Sequence, residues 1–329
     1  EYSDSIPKAV IQKKCWSKGI GFIKDILIQV WKDKPDIVHL QHEFTMYGDV
    51  ITAVLFPLLI VLLRLMGARV ITTLHAVVAS NEINNEFIEC FFIKKPWYIN
   101  TFIFKVVFTY IYTITSSASI KIICHTELMR QNLIEDYAVS KNQIVTLAPI
   151  IPTHQILHEK KEQYFLYFGY MVRRKGIEHV LTGFSKVVKK YPMFRLVLAG
   201  GTIAGQERAV DELQTEIKRL HLEKQVIIKG FISSEEELDK LYAKAYAVVT
   251  PARISIAASG PLYHARGYHK CVLASDIGNF IEEIEDMKNG ILVARGNWDE
   301  LMIKTIEHPK LVRQIELGTR QIAKKHDGS

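Results

Sequence analysis

The chain has 329 residues, 48% of them apolar, which is enough for two buried cores and excludes disorder, a collagen-like repeat or a lone mini-domain. Lysine and arginine number 42 against 35 aspartate and glutamate, a net +7 that favours an anionic partner, yet no basic block is long enough to point to nucleic acid. Cys15, Cys90, Cys124 and Cys271 lie far apart with no Cys-x-x-Cys spacing, so neither a disulfide framework nor a thiolate metal site is indicated and a reducing compartment is the simplest reading.

In chain order, the opening EYSDSIPKAV has no basic stretch followed by an apolar core, so no signal peptide is read. The lack of an initiating Met suggests a trimmed chain. Gly19-Ile20-Gly21 lacks the third glycine and the preceding strand of a dinucleotide fingerprint and reads as a turn into a helix. The runs Asp36–Leu40, Arg69–Leu74, Ile120–His125 and Gln143–Leu147 read as strands. In HLQH, His39 and His42 have no third ligand nearby, so a structural place at a strand end is expected rather than a metal. Two apolar stretches, Val50–Leu63 and Tyr98–Thr115, are short or interrupted for spanning helices, which need about 20 apolar residues. Buried or interfacial helices are expected, with Arg64 and Lys105 able to snorkel toward headgroups. The segment Ala148–Gln163, rich in Pro and charge, reads as a linker between a domain over 1–152 and one over 153–329.

The second half repeats the alternation of strands and helices more clearly. Tyr164–Gly169, Phe194–Gly200, Gln225–Gly230, Tyr246–Pro251, Cys271–Ser275 and Gly290–Val293 are almost continuously apolar, as strands buried on both faces are. Ile177, Val180, Leu181, Phe184 and Val188 recur at helical spacing, and Ser234 with Glu237 forms a capping box. The pattern is an α/β chain of two Rossmann-like halves. No Walker A loop, His-Glu-x-x-His, Gly-x-Ser-x-Gly or Asp-x-Asp is present, so a phosphate loop, zincin chemistry, a nucleophile elbow and a magnesium site on paired aspartates all lack support.

Two strand ends carry chemistry, where open α/β sheets bind ligands. After Gly169, Arg173, Arg174 and Lys175 sit in a short loop closed by Gly176, which opens a helix; three cations beside a helix N-terminus suit an anionic group, because they neutralise a diphosphate without a metal. The bland reading of the same residues is an exposed basic turn. After Thr250, a run of small residues ends in Ser259-Gly260-Pro261, with Ser259 expected as N-cap and Pro261 at the first helical position. Together the two loops form a candidate cradle for a nucleotide diphosphate.

These residues resemble glycosyltransferase family 4, whose GT-B architecture places two Rossmann-like domains with parallel sheets facing across a cleft. The matching pieces run from Phe168-Gly169 to Lys175-Gly176-Ile177, then Leu198–Gly201, Gly230-Phe231, Val249–Pro251 and Val272–Gly278, with Val38–Phe44 and Thr72–His75 in the first half. The resemblance implies a retaining transfer of a sugar of mannose or glucose type from a nucleotide-diphosphate sugar to a glycan or lipid-linked acceptor, for surface polysaccharide, glycolipid or glycan synthesis. It implies Lys175 on the diphosphate, helped by Arg173 or Arg174; Gly169 in the same loop; Gly230 and Phe231 at the nucleobase; Ser259 and Gly260 at the phosphates; and His264 at the ribose. His75 would lie beside the donor sugar, with His42 and Glu43 on the acceptor side. No metal and no cofactor beyond the donor are expected, nor a nucleic-acid partner; the location implied is cytoplasmic, with peripheral contact at the inner membrane face through the first domain.

The sequence departs from the family pattern at two carboxylates. The usual Glu, seven residues, Glu falls on Ile256 and His264, and Ser259-Gly260-Pro261-Leu262 looks like a Ser-Gly branch that lacks the pair. Tyr170 replaces the usual arginine. A non-catalytic nucleotide-sugar-binding relative or partner subunit is the alternative. Family members also begin with a strand and a Gly-rich turn, so this chain is expected to start after both and to stop near the return of a final helix.

Overall fold

The structure is a computed structural model that describes residues 13–91, 100–152, 154, 156–157, 159–203 and 206–327. The opening decapeptide, the first two residues of the Tyr98–Thr115 run, and residues 153, 155 and 158 of the expected linker lie outside them. The elements in order are α1 (Phe22–Asp33), β1 (Ile37–His42), α2 (Val50–Leu65), β2 (Arg69–Leu74), α3 (Asn85–Phe91), α4 (Thr101–Ala118), β3 (Lys121–Cys124), α5 (Glu127–Glu135) and β4 (Ile144–Thr146). They continue with β5 (Tyr164–Phe168), α6 (Ile177–Lys190), β6 (Arg195–Ala199), α7 (Arg208–Arg219), β7 (Val226–Gly230), α8 (Glu235–Lys244), β8 (Ala247–Thr250) and α9 (Gly260–Gly267). Last come β9 (Val272–Ser275), α10 (Asn279–Glu283), β10 (Ile291–Val293), α11 (Trp298–Glu307) and α12 (Pro309–Asp327). Every strand expected from sequence is present, with ends shifted by a residue or two.

The chain divides into two compact units. The first comprises residues 1–80, 102–124 and 129–147, and the second 81–101, 125–128 and 148–329. The short helix α3 thus groups with the second half of the chain.

In the first unit, β1 to β4 pair in sequence order, all parallel. Strand alternation sends Val38, Leu40 and His42 to a core shared with Phe22 and Ile26 of α1 and Phe56, Leu59, Ile60 and Leu63 of α2. Burying each of the Val, Leu, Ile and Phe side chains among them contributes about 1.5–3 kcal/mol. Helix α1 starts at the Gly19–Gly21 turn, and α2 is capped by the Asp49 carboxylate, which accepts from the N–H groups of Ile51 (3.0 Å) and Thr52 (3.2 Å). The two apolar stretches are therefore packed helices, α2 and α4. Their outer faces still expose Val50, Ile51 and Leu58 on α2 and Phe102, Ile103 and Val106 on α4. Among the described residues no helix is long and apolar enough to cross a membrane.

In the second unit six parallel strands run in the order β7-β6-β5-β8-β9-β10. Counted within this unit that is 3-2-1-4-5-6, the doubly wound order, in which the chain switches sides between β5 and β8. Phe165 and Tyr167 face a core with Ile177, Leu181, Phe184 and Trp298, whereas Tyr164 and Leu166 face another with Tyr242, Leu262 and Phe280. Both faces are covered, which is why the strands read as unbroken apolar runs. Ser234 caps α8 by accepting from the Glu237 N–H at 3.3 Å, as its spacing implies.

His42 gives this fold an acid-labile point. It is 1% exposed, its ring lies 4.4 Å from Phe56 and 5.8 Å from Phe44 between centroids, and neither nitrogen has a hydrogen-bond partner among the described residues. Burial, and next the charge of His75, pushes it down from 6.5 to about 3. Above pH 6.5 neither state protonates; below it the unfolded chain takes up a proton that the folded chain refuses, so stability falls between pH 6.5 and about 3. We expect the chain to lose about 2–3 kcal/mol through this group between roughly pH 7.5 and 4.5. Urea unfolding at both values measures it, and a His42→Phe variant should show a drop smaller by that amount; equal drops in the two proteins would refute the assignment.

Candidate active site

The C-terminal ends of β5, β6, β7 and β8 carry a continuous floor of backbone. At β5, the Gly169 N–H donates to the Ala199 carbonyl (3.0 Å), and two residues on the Met171 N–H donates to the Gly201 carbonyl (2.8 Å). At β6, Gly200 sits at φ +136 and a Cβ there would lie 2.0 Å from the Gly169 carbonyl oxygen, so only glycine lets these two strand ends meet. The Gly200 N–H in turn donates to the Gly230 carbonyl of β7 at 2.7 Å. Phe231 follows with its ring 74% exposed, close to Gly201.

The lysine loop is a single tight turn. Arg173–Lys175 form one turn of 3₁₀ helix, Gly176 takes the left-handed conformation at φ +62, and α6 begins at once. A Cβ at Gly176 would come within 3.1 Å of the Arg253 nitrogen, because the turn rests on the loop after β8. The Arg253 N–H donates to the Arg174 carbonyl at 2.9 Å. That second loop is held from its other side too: the Ala252 N–H donates to Ser275 Oγ (2.8 Å), and Asn279 Nδ2 donates to the Ser255 carbonyl (3.3 Å). Its end returns to β5, where a Cβ on Gly169 would meet Pro261 Cγ at 3.1 Å. Gly169, Arg174, Lys175, Gly230, Phe231, Ser259 and Gly260 are thus strung along one edge of one sheet.

Two residues are placed differently from the simplest expectation. Arg173 turns toward α7 and forms a fork with the Glu212 carboxylate, Nε to Oε2 at 2.8 Å with a second bond from its terminal nitrogen to Oε1. Its charge is balanced there. Ser259 occupies the cap position of α9, with Gly260 first and Pro261 second in the helix, but its hydroxyl makes no capping bond. The residue is 6% exposed and Oγ has no hydrogen-bond partner among the described residues. A buried hydroxyl left unpaired costs about 1–3 kcal/mol, a penalty that a bound acceptor at the helix N-terminus would remove.

His264 lies on α9 in a stack of rings. Its Nδ1 shares a 3.0 Å hydrogen bond with His154 Nε2, the His154 ring lies 3.8 Å from Tyr268, and Tyr268 lies 4.1 Å from Tyr242. Burial, reinforced by the charge of His264, pushes His154 down to about 4, and burial lowers His264 as well. Both rings are therefore neutral near pH 7, one donating and the other accepting. Ile256, at the other position where the family resemblance implies a carboxylate, is buried. Sequence reasoning missed His154, which sits in the aperiodic segment before β5. It also missed Glu212, and Glu178 of α6, which pairs with Arg253. None of the three carries a local motif.

In the first unit the residues of interest cluster at the ends of β1 and β2. His75 follows β2, its N–H donating to the His42 carbonyl (2.9 Å) and its Nε2 lying 2.7 Å from Gln41 Oε1. Glu43 is half-buried beside the sequestered His42. His39 and His42 point to opposite faces of β1, so they cannot share a metal, and among the described residues no group of three or more His, Cys, Asp or Glu side chains is placed to hold one.

With this geometry in hand, comparisons with known proteins are specific about the second half of the chain. The family model described as glycosyl transferases group 1 matches residues 153–315. Mannosylfructose-phosphate synthase of Agrobacterium fabrum is 27% identical over 148 residues, 40% of this chain and 32% of that protein. A glycosyltransferase of Methanocaldococcus jannaschii is 29% identical over 149 residues, 43% of this chain and 34% of that one. The matched stretches therefore span about a third of these curated relatives. Among solved structures, Anabaena HepE in complex with UDP-glucose superposes with a TM-score of 0.71 over 94% of this chain and 80% of its own, at 14% identity, a likeness of fold. Residues 153–315 are thus similar to the glycosyl transferases group 1 domain, carried in a chain whose two parallel sheets have the GT-B architecture.

Proposed function

We propose that this protein is a retaining, metal-independent glycosyltransferase of family 4, in its Ser-Gly branch, that moves a sugar of mannose or glucose type from a nucleotide-diphosphate donor to a glycan or lipid-linked acceptor. The observation that carries the reading is the buried, unpartnered Ser259 hydroxyl at the start of α9, in the loop that rests against the Arg173–Lys175 turn. On this reading the donor diphosphate takes its hydrogen bond from Ser259 and its charge balance from Lys175 and Arg174, which is what a doubly charged leaving group needs. The exposed ring of Phe231 stacks on the nucleobase, and Gly230 lets the backbone approach it. The sugar class is in keeping with the names of the Agrobacterium synthase and of the UDP-glucose complex.

In a retaining transfer of this kind the leaving phosphate can itself take the proton of the attacking hydroxyl. The protein then supplies position and charge stabilisation, and no general-base carboxylate is needed. On this reading His75 keeps the role the family resemblance implies beside the donor sugar and Glu43 its role on the acceptor side, whereas His42, buried in the aromatic core, meets no substrate. His264, held by His154, offers its ring to the ribose. A second reading has one observation in its favour: Ile256 is buried and His264 is neutral where the family carries carboxylates, which suits a nucleotide-sugar-binding subunit without turnover. Detectable transfer from any nucleotide sugar removes that reading.

Calorimetric titration with GDP, UDP and ADP in EDTA tests the site directly. One nucleotide should bind without metal, and Lys175→Ala should weaken it by about 1.5–3 kcal/mol, the worth of a charge-assisted hydrogen bond. Ser259→Ala should also weaken binding while raising the stability of the free protein, because it deletes an unsatisfied buried hydroxyl. Unchanged affinity in Lys175→Ala would sink the proposal.

The exposed apolar residues of α2 and α4, with Arg64 and Lys105 beside them, support peripheral contact with the inner membrane face, where a lipid-linked acceptor is found. Flotation with anionic liposomes should carry the protein upward, and Phe102→Glu with Val106→Glu should abolish this; no association in the unmodified protein would rule the contact out.

A further inference from the structure

The helices of the second unit cover its two sheet faces unequally near β7. The crossovers from β5 to β6 and from β6 to β7, which are α6 and α7, pack on the face that holds Phe165, Leu196 and Val226. After the chain changes direction, α8 packs on the other face, against Tyr164, Leu166 and Val248. It leaves a groove of about 300 Å³ between itself and the outer flank of β6 and β7. The apolar lining of this groove comes from Val197, Leu241 and Ile227, the last 37% exposed although it lies within a strand.

The rim is cationic. Arg195, Lys229, Lys240 and Lys244 stand around the groove with two carboxylates, Glu162 and Glu237. Glu237 pairs with Lys229 at 3.0 Å and Glu162 with Lys244 at 3.2 Å, while Lys240 pairs with Glu236 one turn back on α8. Both groove carboxylates are thus taken by lysines, and neither balances Arg195, which is exposed at the start of β6.

The cations are also spread out. Val197 stands opposite Ile227 in the parallel register, Arg195 precedes that pair by two residues and Lys229 follows it by two, so these cations mark opposite ends of the groove, about 13 Å apart along the strands. Lys240 and Lys244 lie one helical turn apart on the wall, about 6 Å. A single phosphate or carboxylate cannot meet cations so far apart, and a flat bilayer surface does not enter a recess to reach Val197 and Leu241. The loops of the candidate active site lie beyond the strand ends, and none of the groove's lining residues belongs to them.

We propose that this groove docks an acidic segment of a partner protein, one that sets apolar side chains against Val197, Leu241 and Ile227 and turns Asp or Glu side chains toward the cationic rim. Apolar contact anchors such a segment, and complementary charge selects it and fixes its register. A lysine on an edge strand commonly serves to keep other strands from pairing there. That accounts for Lys229 on β7, the last strand of the sheet, but not for the cations of α8 or the apolar recess between them. The proposal does not depend on the glycosyltransferase reading.

Random short peptides displayed on phage and selected against the full chain test it. Selection should enrich sequences in which Asp or Glu flank apolar residues, and a synthetic copy of an enriched peptide should bind, by fluorescence anisotropy, with an affinity that falls as salt rises. Arg195→Glu combined with Lys240→Glu should weaken that binding about tenfold or more, and a peptide with its acids replaced by Lys should bind this variant in turn, which a misfolded protein would not do. Enrichment of no acidic, apolar sequence, equal affinity for the unmodified chain and the variant, or no recovery with the reversed peptide would overturn the proposal. So would loss of anionic-liposome binding in the variant with no peptide selected, which would assign the same cations to a lipid surface.

Discussion

One backbone hydrogen bond, from the Arg253 N–H to the Arg174 carbonyl at 2.9 Å, decides the shape of the second unit's working edge. It joins the loop after β5 to the loop after β8, the two strands between which the sheet changes direction, and so closes the opening where open α/β sheets bind ligands. Everything near it is adapted to that contact. Gly176 has no side chain to push Arg253 away, and the fork from Arg173 to Glu212 draws one cation out of the turn. Ser259 is left at the foot of α9 with its hydroxyl unpaired.

The first unit uses the opposite economy. Its sheet buries Val38, Leu40 and His42 on one face and spends the other on a polar row. A histidine in an aromatic core cannot serve as an acid or base near neutral pH, because burial has removed its proton affinity. His42 is therefore a shape-filling neighbour of His75, and the chemistry of that strand end lies with the outward residues.

The sequence made the architecture readable because the physics is local. Strands buried on both faces must be apolar throughout, so YFLYFG and FRLVLAG could be placed from composition alone, and Ser234 with Glu237 marked a helix start through bonds three residues apart. The lysine turn and the Ser-Gly start were legible for the same reason: glycine and small residues record where backbone must approach backbone. What stayed hidden depends on pairs distant in sequence. His154 meets His264 across 110 residues, and Arg173 meets Glu212 across 39. Ser259 shows the limit in another way: it stands at the cap position its place before the helix implies, yet its hydroxyl makes no bond to the helix, which only coordinates reveal. The surroundings of Ile256, which is buried, and of His264, which meets a second imidazole, belong to the same class.

The strand order of the second unit also sets a sequence of events for the growing chain. β5 meets β6 through Phe165 and Leu196, and β6 meets β7 through Leu196 and Val226, each closing a loop of about 30 residues, whereas β5 meets β8 only through Phe165 and Ala247, a loop of about 80. One half of the sheet can therefore assemble while the other is still being synthesised, and its inner edge, β5, waits unpaired. The seam that completes this sheet is the seam that carries the lysine turn and the serine loop. Of the joints in this sheet it closes the longest loop, so anything that bound across the two loops would favour the chains in which that seam has been made.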